Sequence, residues 1–338
     1  MTRIAIRSIM MAAAFAVSIL VAPARIATAG ETVLRAEISR TAQSLLMSRR
    51  FDELDRIQTE LLVKKQKTPT GRWRLTIFDS AIRDAFSIDE TDEAYWREME
   101  KLVSDWTRLK QNSANAHLAY TEMLINRAWS LRGSGYGGTV ATSDWKLFHA
   151  YLEKARLYLE RQKAKTAGDL RWYDLMIQIA GLQNWPPAKY GDLAMEGIKA
   201  FPDYHQIYQT TALFLLPKWG GNAEAVEAFA QDAIRRAPPA EAASIYVRIY
   251  WNAFANHFED RLIKDSKLNW PLMKKGMEQM AASYPDPFNL NMFARFGCMA
   301  WDRPFTASMF KRLRGTSDVS NWNSGALREN CRNWASKG

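Results

Sequence analysis

Cysteine is nearly missing from this chain, and the two that occur, Cys298 and Cys331, both lie toward its C-terminal end. No Cys-x-x-Cys pair exists to suggest redox work, and no cysteine–histidine cluster suggests zinc. Histidine is just as sparse. His117, His149, His205 and His257 stand far apart, and none has a second histidine at i+3 or i+4. A helical metal site announces itself by that spacing. Neither a metal nor a cofactor is implied. A Gly-x-Ser-x-Gly nucleophile elbow is lacking as well. Long apolar runs are limited to one, Ile9 to Ala22.

That run identifies the first 29 residues as an export signal. Arg3 and Arg7 give a basic start, and Ala27-Thr28-Ala29 has the small-x-small form of a signal-peptidase site. The run is too short for the roughly 20 residues that span a bilayer. Cleavage after Ala29 would leave Gly30 first, in a bacterial periplasm or outside the cell, with no stable membrane insertion. The formal net charge of +10 loses Arg3, Arg7 and Arg25 with the signal. What remains is a mild excess spread along the chain, read as a solvated surface, and nucleic acid is not implied. In an oxidising compartment an even pair of cysteines favours a Cys298–Cys331 disulfide over two buried thiols.

From Gly30 onward the periodicity is helical. Phe201 to Pro239 shows the design most clearly. One segment is apolar at Tyr204, Ile207, Tyr208, Ala212 and Leu215, and a second at Val226, Phe229, Ala230, Ala233 and Ile234. Between them lies the turn Pro217-Lys218-Trp219-Gly220-Gly221, and Pro238-Pro239 closes the unit. Such a hairpin cannot bury its own stripe, so hairpins stack. Looser pairs run from Glu31 to about Lys65, Glu93 to Arg132, and Leu170 to Ala200, with a last one from Phe288 to Leu313. Two stretches are ambiguous. Trp73 to Phe86 and Ile245 to Trp251 both contain strand-like alternation, and the helical neighbours favour helix in each. Thr142, Ser143 or Asp144 is the expected cap of the helix that follows, and Lys64 to Gly71 reads as a break. The prolines 202, 238 and 285 recur at intervals of 36 and 47 residues. A tetratricopeptide array repeats at about 34. The expectation is an all-α fold of helical-hairpin repeats stacked into an irregular tetratricopeptide-like superhelix, an α-solenoid. It would occupy 30–338 as one continuous domain, with a sub-boundary near 112–115.

The layout resembles tetratricopeptide-like proteins over most of the mature chain, with the alanine and glycine positions of that consensus out of register. Three blocks resemble an uncharacterised bacterial family defined as a domain of unknown function: Arg132 to Tyr136, Leu216 to Gly221, and Ile249-Tyr250-Trp251. The resemblance runs from about Asn115 to Trp334. It implies a helical fold and no activity.

The glycine stretch from Gly133 to Gly138 lacks the preceding strand and following Lys-Ser/Thr of a phosphate loop. It reads as an inter-hairpin loop with Tyr136 at its centre. Trp96 and Trp145 sit at core spacing. Tyr136, Trp219, Tyr250 and Trp251 are the candidate ligand-binding residues, and no catalytic residue is assigned. Glu90, Glu196 and Glu241 fall in cap or exposed-face patterns, without the pocket that acid–base work needs. The expected function is a non-catalytic exported scaffold, binding a peptide or protein of the cell envelope in the groove of a repeat array. The alternatives are an envelope hydrolase, recognisable by two convergent carboxylates, and a polysaccharide-binding protein using stacked tryptophans.

Overall fold

A computed structural model describes residues 30–133, 135, 137–313 and 321–337. The expected signal at 1–29 and the candidate Tyr136 lie outside the described residues. Among those described, the fold is all-α, without a strand; Lys67 and Trp73 form an isolated antiparallel bridge. No described helix is long and apolar enough to cross a membrane.

The first hairpin is α1 (Glu31–Met47) and α2 (Phe51–Lys64), followed by α3 (Arg74–Asp84). Next come α4 (Glu93–Leu109), α5 (Ala114–Arg132), α6 (Thr142–Arg161) and the single turn α7 (Lys163–Thr166). The middle of the chain holds α8 (Leu170–Leu182), α9 (Pro187–Ala200), α10 (His205–Leu213), α11 (Ala223–Arg236) and α12 (Pro239–Ala253). A π-turn at Phe254–Phe258 leads to the short α13 (Leu262–Asp265). The chain closes with α14 (Trp270–Ser283), α15 (Pro287–Met299), α16 (Arg303–Arg312) and α17 (Gly325–Ala335). Both ambiguous stretches are helical, as α3 and within α12.

The helix starts follow from short polar side chains placed to satisfy free amides. Asp92 accepts from Ala94 N at 2.8 Å, Ser113 from Ala116 N at 3.1 Å, and Asn222 from Ala225 N at 2.7 Å. Helix α6 departs from expectation. It begins at Thr142 with Ala141 before it and no side-chain cap, so Thr142, Ser143 and Asp144 form its first turn. There Asp144 favours the helix only through the dipole. Pro187, Pro239 and Pro287 stand at the first helical position, where no amide is lost.

Helices adjacent in the chain pack together: α5 on α6, α11 on α12, α15 on α16. The core between them is rich in aromatic rings. Trp106 stacks on Phe51 with centroids 5.4 Å apart, and Trp73 meets Tyr204 edge-on at 5.5 Å. A buried polar node ties four helices. Arg171 Nη1 donates to Asp79 at 2.7 Å, its Nε to Asp169 at 2.8 Å, and Nη2 reaches Asn115. Gln58 donates to the same Asp79 oxygen at 2.7 Å. Near the expected sub-boundary, Ser113 Oγ donates to Asp55 at 2.6 Å and binds that stretch to α2.

Contacts also join elements distant in sequence, such as α5 with α8 and α10 with α12. Lys64 to Gly71 reads in sequence as a break, yet Thr68 and Thr70 are buried. Lys65 pairs with Asp203 and Lys67 with Glu241, at 2.6 and 2.5 Å. The Thr70 carbonyl accepts from Arg248 at 3.1 Å and Asn289 at 3.3 Å. A loop from the first third of the chain is thereby fixed to α12 and α15. Near the C-terminus, Cys298 of α15 and Cys331 of α17 are joined by a disulfide, with Cα atoms 6.1 Å apart.

Candidate functional site

Gly137 of the glycine stretch and Trp219 of the Pro217–Gly221 turn line one cavity. In that turn, Gly220 has φ +86°, and a Cβ on Gly221 would fall 2.0 Å from the Leu215 carbonyl oxygen. Glycine alone passes both positions. The turn sets Trp219 against Trp129 of α5, with centroids 6.3 Å apart and planes at 78°. Trp145, in the first turn of α6, completes the walls. It is half-buried, where its spacing suggests core. Between Trp129 and Trp145 lies the Arg132 guanidinium, 5.1 Å and 4.7 Å from their ring centres. The cavity these residues line, with Phe148 and Lys218, measures about 460 Å³.

His149 continues the groove. It stacks on Trp145 at 5.6 Å and also lines a second cavity of about 530 Å³ with Trp185 and Lys189. Lys189 Nζ stands 3.7 Å over the Trp185 ring. Asn184, at φ +50°, makes the turn that places Trp185 there. The groove thus presents four tryptophans, each at a helix–loop junction.

Its charge is one-sided. Among the described residues, Arg132, Lys189 and Lys218 have no carboxylate within ion-pair distance. Burial holds Arg132 and Lys218 below their ordinary ranges. The carboxylate of the groove, Glu153, hydrogen-bonds Arg156, which holds its pKa down at about 2. Glu153 is therefore ionised and committed. Trp219 Nε1 is buried without a partner.

The remaining candidates separate. Tyr250 is fully buried, and its hydroxyl donates to Glu227 at 2.5 Å, so it offers no surface to a ligand. Its neighbour Trp251 is half-buried, stacks on Phe288 at 5.8 Å and lines a different cavity, on α12. Trp129, Trp185 and Arg132 join the groove without having been singled out as ligand contacts. The readable signal is that each sits within a few residues of a break between helices.

Three carboxyl groups inside the fold depart from ordinary behaviour. Burial raises Glu122 to about 8 and Asp174 to about 6, and it raises Asp79 as well. Thr210 donates to Asp174 at 2.5 Å. Glu241, read as a helix-cap or exposed-face residue, lies in the first turn of α12 and accepts from Lys67 at 2.5 Å and from His205 Nε2 at 2.9 Å. His117 is also engaged, with Tyr158 at 2.7 Å and the Gln111 carbonyl at 2.9 Å. Among the described residues no group of three or more histidine, cysteine, aspartate or glutamate side chains is placed to hold a metal ion.

Comparison of the chain with protein-family models, with curated proteins and with solved structures finds no match. The resemblance to tetratricopeptide-like proteins and to the uncharacterised family rests on sequence pattern alone.

Proposed function

We propose that this is an exported, non-catalytic binding protein whose hairpins stack as an irregular tetratricopeptide-like superhelix. It holds an acidic peptide or protein segment of the cell envelope in the tryptophan groove. The observation that carries this reading is the convergence of Trp129, Trp145 and Trp219 from separate parts of the chain beside unpaired Arg132 and Lys218. Tryptophans offer large, rigid apolar faces at low entropic cost and dominate many interfaces. Uncompensated cations attract and orient a negatively charged partner. A glycan could stack on the same rings, but a neutral one would leave the cations unanswered.

The hydrolase alternative draws its support from Glu122 and Asp174, whose raised pKa values suit a general acid. Neither lines the groove, so neither reaches a ligand held there. The test is capture of partners from an envelope extract by the wild-type protein and by Trp219→Ala and Lys189→Glu. A partner held by wild type and lost from both variants supports the groove. Equal retention by all three overturns it.

A further inference from the structure

The cavity lined by Trp251 has a different character. It measures about 220 Å³ and lies where the Lys65–Trp73 loop crosses α12 and α15. Three guanidinium groups line it: Arg35 of α1, Arg72 of the loop and Arg248 of α12. Arg248 is 8% exposed; one terminal nitrogen donates to the Thr70 carbonyl, while its buried Nε has no partner. Arg72 makes no ion pair among the described residues. Burial, reinforced by neighbouring cations, lowers both to about 10, which leaves them charged at neutral pH.

Among the described residues the nearby carboxylates form no ion pair with Arg72 or Arg248. Glu31, 3% exposed, is taken up by Arg35 at 2.5 Å, by Thr68 Oγ1 at 3.0 Å, and by Thr70 Oγ1 and N at 2.8 and 3.1 Å. Glu241 is held by Lys67, His205 and Ser244. Two positive charges remain in a recess walled by stacked Trp251 and Phe288. An unpaired buried charge is strongly destabilising unless a counter-charge reaches it. Guanidinium forks match the oxygens of carboxylate and phosphate.

We infer that the Arg35–Arg72–Arg248 recess is a binding site for a small oxyanion, a phosphate or carboxylate group, independent of the tryptophan groove. Its volume is below the roughly 300–1,000 Å³ of sites for drug-sized ligands. The ligand is a free small anion, or the anionic head of a larger molecule whose remainder stays outside. Arg248 and Arg72 grip the oxygens, and Arg35, 5.2 Å over Phe288, closes the rim.

The test is calorimetry and thermal unfolding of the purified protein with inorganic phosphate, succinate and, as a control at matched ionic strength, chloride. The expected result is saturable binding of phosphate or succinate with a rise in Tm, and no effect of chloride. Which anion binds more tightly distinguishes a phosphate source from a carboxylate source. Arg72→Ala and Arg248→Met should each weaken binding by about tenfold or more. Arg248→Met should also raise the ligand-free Tm, because it removes an unanswered buried charge. No saturable binding at millimolar anion, or binding unchanged in both variants, overturns the inference.

Discussion

Gly71 and Arg248 occupy each other's space. A Cβ on Gly71 would stand 2.9 Å from a terminal nitrogen of Arg248, and 2.6 Å from the ring of Tyr284. The loop can therefore bring Thr70 against Arg248 only because residue 71 has no side chain. With φ at +78°, Gly71 also holds a conformation that other residues enter at a cost.

Gly71→Ala should destabilise the fold by at least the roughly 1–2 kcal/mol of the left-handed backbone. Displacement of Arg248 should weaken phosphate or succinate binding in the same variant. Urea unfolding and calorimetry, run side by side, check both effects. A variant with wild-type stability and anion affinity would show that the loop does not depend on this contact.

The Arg171 node is a buried pairing in which the cation answers two carboxylates, Asp169 and Asp79. Arg171→Ala leaves them uncompensated and should cost about 3–5 kcal/mol. Chemical denaturation measures the loss. A change within the scatter of ordinary surface substitutions would mean that water or Gln58 satisfies Asp79 instead.

Acid should unfold the protein in two stages through the His205–Glu241 pair. Burial lowers His205 from 6.5 to about 4, so its contribution falls as pH drops from 6.5 through 4, where the unfolded chain takes up the proton first. Glu241 lies at about 2: burial works against this, and hydrogen bonds from His205 and Lys67 outweigh it. Its contribution is present above 4.5 and is lost as pH falls through 2. His205→Gln should flatten the upper window and narrow the lower one, where Lys67 still holds Glu241. Urea midpoints at stepped pH values report it; an unchanged slope between pH 6.5 and 4 would contradict the assignment.

The disulfide joins Cys298 and Cys331, which stand 33 positions apart in the chain. On the chain-entropy account its reduction should lower stability by about 3–4 kcal/mol. Unfolding with and without reductant, compared with Cys298→Ala/Cys331→Ala, measures this. Equal Tm values in the three samples would assign the bond no stabilising role.

The helices were legible because 3.6-residue periodicity survives in almost every hairpin, and because Asp92, Ser113 and Asn222 mark their starts. Trp219 was legible from its glycine turn. The arginine recess was not. Lys64 to Gly71 reads only as a break, since nothing local shows that Thr68 and Thr70 will meet Glu31, over thirty residues earlier. Tyr250 shows the converse: an aromatic block suggests display, while the partner that buries its hydroxyl, Glu227, lies 23 residues away. Long-range polar pairing leaves no periodic trace in the sequence.

The groove itself is tested most directly by selecting random peptides on the immobilised protein and measuring the winners by calorimetry. The expected result is enrichment of acidic peptides whose affinity drops at least about tenfold with Trp219→Ala and with Lys189→Glu, and falls as salt rises. Peptides that bind both variants as well as wild type, or no enrichment at all, would contradict the assignment of the groove as the binding site.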